Sequence, residues 1–141
     1  MTGEEMKLLA KRFYEEAFNE RRFEVADELI ADDYVEHEEF PGAPKDKGAV
    51  RFFLDTVTGA FPDAMMTIED SAAEGDRLWL RYRLKGTHEG EFMGIPATGK
   101  SIDVQGLDIV RIRDGKAVEH WGISDDLKML QQLGVIPEEV A

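Results

Sequence analysis

The sequence predicts an α+β fold: three helices, then a curved, mostly antiparallel sheet that they cover on one side, then a short C-terminal helix. Three observations carry this. Apolar residues recur at helical spacing through roughly the first 60 residues and then switch to alternation. Asp-Gly and Gly-Asp dipeptides punctuate the second half between alternating runs, the signal of hairpins. Helices that precede a run of strands pack together on one side of an antiparallel sheet, whereas alternating helices and strands would build a parallel one.

Residues 4–19 read as an amphipathic helix through Met6, Leu9, Ala10, Phe13 and Ala17. Residues 22–30 form a second, with Phe23, Ala26, Leu29 and Ile30 on its apolar side. Residues 32–44 read as irregular, with Asp32-Asp33 at one end and Pro41-Gly42 and Pro44 at the other. A third helix spans 46–60 on the stripe Val50, Phe53, Leu54 and Val57. Phe61-Pro62-Asp63 ends it, because a proline disfavours helical geometry in the residue before it.

Strands follow at 64–71 and 77–85, joined through Glu74-Gly75-Asp76. In the second, Leu78, Leu80, Tyr82 and Leu84 alternate with Trp79, Arg81 and Arg83. Residues 89–99 form a glycine-containing loop. Residues 101–113 and 116–124 make the last hairpin. Asp125 or Asp126 caps a final helix that Gly134 and Pro137 end. The 141 residues make one domain, 1–141.

Composition narrows the function. A net charge of −13 repels phosphate backbones and argues against nucleic acid. No apolar run approaches the roughly 20 residues of a membrane span, and the first residues lack the layout of a signal peptide. The absence of cysteine removes disulfides and thiol chemistry and fits a reducing compartment, so a cytoplasmic location is expected.

Two motifs are discounted. Residues 94–101 satisfy the P-loop pattern, but the residues after Ser101 alternate as a strand, so no helix N-terminus meets a phosphate, and Pro96 removes an amide from the cradle. His37, His88 and His120 lack zinc-site spacing, so no metal is expected.

Asp108 and His120 stand out because both lie inside strands of the last hairpin, where an unpartnered polar group is costly. A three-residue turn at Arg113-Asp114-Gly115 pairs Val110 with Val118 and Asp108 with His120. A two-residue turn pairs Ile109 with His120. The first register is preferred because it matches the two valines. It puts Asp108 and His120 on one face, as a structural hydrogen bond or an acid–base pair. Leu107, Ile109, Trp121 and Ile123 fall on the other face. Exposed, they would form an apolar strip that monomers rarely carry, so a homodimer is expected there, its partner also meeting Arg81 and Arg83.

The runs Tyr34-Val35-Glu36-His37, Phe61-Pro62-Asp63, Gly86-Thr87-His88, Asp114-Gly115-Lys116, Glu119-His120-Trp121, Asp125 and Gln132-Leu133-Gly134 resemble the SnoaL-like polyketide cyclases of the nuclear-transport-factor-2-like superfamily. The resemblance covers nearly the whole chain. It implies a cone-shaped barrel enclosing one pocket, a homodimer, and an acid–base enzyme without metal or organic cofactor. Such enzymes close a ring by intramolecular aldol condensation. The resemblance points to Asp125 as the acid–base carboxylate, a position that also suits a helix cap. The expected catalytic set is Asp125, His120 and Asp108. The substrate-binding candidates are His37, Tyr14, Phe53, Tyr82 and His88, and the expected partner is a small apolar or aromatic ligand. An isomerase or hydrolase on the same cone, or a non-catalytic binding protein, are the other readings.

Overall fold

A computed structural model describes residues 1–138. Helix α1 (Gly3–Arg12) opens on a capping box: the Thr2 hydroxyl accepts the Glu5 amide, and the Glu5 carboxylate accepts the Thr2 amide. The helix then continues as a π-helical stretch, Phe13–Asn19. Its wider i→i+5 turns rotate the inward face. Tyr14, Ala17 and Phe18 are buried along it, and Phe13 packs half-buried against the same core. Helix α2 (Phe23–Leu29) and helix α3 (Gly48–Ala60) lie as expected.

The main departure is strand β1 (Ile30–Glu36), in a segment that reads as irregular. It pairs in parallel with β5 (Lys116–Ser124), with Val35 opposite Glu119 and Glu36 opposite His120. A register irregularity between Ile30 and Val35, next to the exposed Asp32-Asp33, breaks the alternation that would have marked a strand. The other strands are β2 (Met65–Glu74), β3 (Arg77–Thr87) and β4 (Ser101–Arg113). The sheet order is β1-β5-β4-β3-β2, antiparallel except for β1. The sheet is open, with β1 and β2 as edges, and does not close on itself as a barrel. Helix α4 (Asp126–Gln132) ends the described fold.

Leu78, Leu80, Tyr82 and Leu84 of β3, with Ile102 and Val104 of β4, form one core with Met6, Tyr14, Phe18, Leu54 and Leu133 from the helices. The helices thus cover one face. On the opposite face Trp79, Leu107 and Ile123 are exposed, with Trp121 half-buried beneath Arg77. Arg81 and Arg83 find acids within the chain, at Asp70 and at Glu69 and Asp103, and so do not wait for a partner's acids. No helix among the described residues is long and apolar enough to cross a membrane.

Candidate active site

The last hairpin places the site, through a register that neither sequence reading gives. Asp114 and Gly115 both have positive φ, 52° and 75°, so the turn is the two-residue kind, and Arg113 pairs with Lys116. A bulge then leaves Val118 extra, between the pairs Ile112–Ala117 and Arg111–Glu119. Beyond it Val110 faces His120, and Asp108 faces Gly122. The bulge restores the parity that the turn removed. Asp108 and His120 therefore share the inner face, one diagonal step apart, and His120 Nε2 lies 2.7 Å from Asp108 Oδ1.

Three further side chains are linked from there. His120 Nδ1 lies 2.5 Å from Glu36 Oε2. Tyr34 donates to Glu36 Oε1 at 2.7 Å, and Tyr14 donates to Asp108 Oδ2. Burial pushes the His120 pKa down, but the charges and hydrogen bonds of Asp108 and Glu36 outweigh it and hold it well above the ordinary imidazole value. The ring is an imidazolium at neutral pH, donating from both nitrogens. Burial, then the charge on Asp108, raises Tyr14 well above the usual phenol value, so it remains a donor.

This network forms part of the wall of a cavity of about 430 Å³, a size usual for small-molecule sites. The rest is mostly apolar, including Phe13, Phe53, Leu80 and Phe92, and Tyr82 also lines it. Gly106 lets the Tyr82 ring lie across β4, because a methyl there would overlap the phenol. Exposed Glu39, Pro41, Met93 and Asp126 lie at the mouth. Among the described residues, no lysine or arginine lines the cavity.

Of the expected residues, Asp108, His120, Tyr14, Phe53 and Tyr82 converge here. Three do not. Asp125 is exposed and its Oδ1 accepts the Lys128 amide at 3.2 Å, so it caps α4 and lies outside the cavity lining. His37 sits on the outer face, stacked 4.8 Å from Trp121 and bonded to Glu119 at 2.8 Å, because it follows the inward Glu36 by one residue. His88 is fully buried behind Phe61, with Nδ1 3.0 Å from the Thr98 hydroxyl; it braces the loop between β3 and β4.

The sequence reading missed Tyr34, Glu36 and Glu38, all brought in by β1 and the segment after it. The alternation Tyr34-x-Glu36 is the signal that could have found the first two. Glu38, Asp108 and His120 each place one potential ligand atom within 4.8 Å of the others.

The family model described as SnoaL-like polyketide cyclase matches residues 8–133. The aklanonic acid methyl ester cyclase DauD of Streptomyces sp. (strain C5) is 31% identical over 127 residues, 84% of this chain and 76% of that protein. The aklanonic acid methyl ester cyclase DnrD of Streptomyces peucetius is 35% identical over 69 residues, 48% of each. Among solved structures, IdmH of Streptomyces antibioticus, a candidate polyketide cyclase, superposes with a TM-score of 0.79 at 38% identity, covering 91% of this chain and 97% of that one. AclR of Streptomyces galilaeus, a candidate hydroxylase, superposes with a TM-score of 0.87 at 28% identity, covering 99% and 87%.

Proposed function

The chain belongs to the SnoaL-like polyketide cyclase family, and from that premise we propose that it closes a ring in a polyketide ester by intramolecular aldol condensation. The supporting observation is the chain of hydrogen bonds Glu36–His120–Asp108–Tyr14 on the wall of an otherwise apolar cavity. The reaction moves one proton and changes no oxidation state. A C–H between carbonyls loses its proton, the enolate carbon attacks a ketone, and the new alkoxide takes a proton. It therefore needs a proton carrier and a positive field where the oxyanion forms.

His120 supplies that field. Glu36 and Asp108 fix its ring, and Tyr14 fixes Asp108. As charge develops on the substrate oxygen, the imidazolium stabilises it through its field, while its two N–H groups stay on Glu36 and Asp108. With several carboxylates and no lysine or arginine in the lining among the described residues, a neutral ester is favoured over a free acid.

The test is ring closure of aklanonic acid methyl ester, the compound in the names of the two curated relatives. The purified protein is expected to give an isomer of unchanged mass with one further ring, seen by NMR. An ester that binds in the cavity and is recovered unchanged would return the non-catalytic binding reading.

The outer face supports a homodimer, and the cysteine-free composition a cytoplasmic one. Exposed Leu107 and Ile123 flank half-buried Trp121 on that face. Sedimentation equilibrium is expected to show a dimer that Ile123→Asp with Leu107→Asp converts to monomer. A wild-type monomer at micromolar concentration would contradict this.

A further inference from the structure

We propose that Glu38 is the proton carrier of this site, its carboxylate taking the proton from the activated carbon and returning it to the new oxygen. The choice of substrate rests on the ring-closure reading.

Two geometric observations carry the assignment. The first is hydrogen-bond occupancy. Asp108 accepts from Tyr14 and His120, and Glu36 accepts from Tyr34, His120 and the Glu38 amide. The Glu38 carboxylate receives no hydrogen bond from the described residues. Only its backbone is tied, the amide to Glu36 Oε2 at 3.2 Å and the carbonyl to Lys45 Nζ at 3.2 Å. It lines the cavity beside Asp108 and His120. Its acceptor sites are thus open to a ligand, while those of its neighbours are used.

The second is the gap that holds it. Gly122 is not among the positive-φ glycines, so the strand geometry does not require glycine there. Space does: a methyl at 122 would overlap the Glu38 carboxylate and come within 2.8 Å of His120 Cε1. The strand leaves room for this carboxylate beside the imidazolium.

The environment suits the task. Burial pushes the Glu38 pKa up to about 7, with the charges of Asp108, Glu36 and Asp126 adding and His120 opposing. Tyr14, Tyr34 and Tyr82 nearby are held neutral by burial. A base with a pKa near the working pH both takes and returns a proton efficiently. The balance closes within the site. The C–H electron pair becomes the enolate, the enolate carbon forms the new C–C bond, and the alkoxide takes the proton from Glu38.

The proton step is read apart from ring closure by NMR, as exchange of the acidic C–H of aklanonic acid methyl ester for deuterium in D₂O. Wild-type protein is expected to accelerate exchange, with an acid limb near pH 7. Glu38→Gln is expected to lower that rate by about 10²–10⁴ and to lose the limb, with little change in KM. Gly122→Ala, which displaces the carboxylate while keeping every ionisable group, is expected to lower it as well. Glu38-dependent exchange without ring formation leaves the assignment standing and overturns the ring-closure reading. Folded Glu38→Gln exchanging at the wild-type rate, or no acceleration by the wild type, overturns the assignment.

Discussion

Replacing His120 with glutamine is expected to lower ring closure by about 10²–10⁴ and to destabilise the fold by about 3–5 kcal/mol. The loss of rate follows from removing the only cation that lines the cavity among the described residues. The loss of stability follows from leaving Glu36 and Asp108 facing each other without it, their side chains 11% and 14% exposed. The pH dependence gives a second signature. The folded-state pKa of His120 lies above its unfolded value of about 6.5. Its contribution is therefore complete below that value and is lost as pH rises through the elevated folded value. Urea unfolding across pH should show this loss with rising pH in the wild type and not in His120→Gln. Identical curves would mean that the imidazolium does not hold the two carboxylates together.

Glu38→Gln is expected to do the opposite to stability while it removes the proton carrier. A carboxylate whose folded pKa is raised from 4.5 to about 7 destabilises the fold increasingly as pH climbs between those values, because the folded state binds the proton more tightly. The variant should match the wild type near pH 4 and exceed it at pH 8 by about 1–3 kcal/mol. The upper figure is the whole displacement at about 1.36 kcal/mol per pH unit, and the lower allows for solvent screening. Such a trade of stability against activity is common at acid–base sites. Equal stability at pH 8 would mean that Glu38 is ionised without cost and is not tuned by the cavity.

How far the sequence reaches depends on how local each feature is. The helices and the last hairpin are set by neighbouring residues, so periodicity and turn chemistry find them and offer Asp125 or Asp126 as the last helix's cap. The inward parity of Asp108 and His120 is found even though the exact register is not, because the unforeseen bulge at Val118 offsets the two-residue turn. Strand β1 is different. It pairs in parallel with a strand some 84 residues later, as the Glu36–His120 contact shows, and no local pattern encodes that partner. With β1 unread, Glu36 and Glu38 stay hidden, and His37 is a substrate-binding candidate although it stacks on Trp121 outside the cavity. The π-helical stretch that carries Tyr14 to Asp108 is equally silent, since its apolar residues also fit an α-helical stripe. Asp125 suits both a cap and a catalytic acid in sequence, and only its exposure and its bond to the Lys128 amide separate the two.

The most direct measurement is ring closure of aklanonic acid methyl ester by the wild type, Asp108→Asn and Asp125→Asn under one set of conditions. The account predicts turnover by the wild type, a fall of about 10²–10⁴ for Asp108→Asn, and near-wild-type turnover for Asp125→Asn, because asparagine still caps the helix. Loss of turnover in a folded Asp125→Asn, with Asp108→Asn at full rate, would contradict it and move the chemistry to the rim of the cavity.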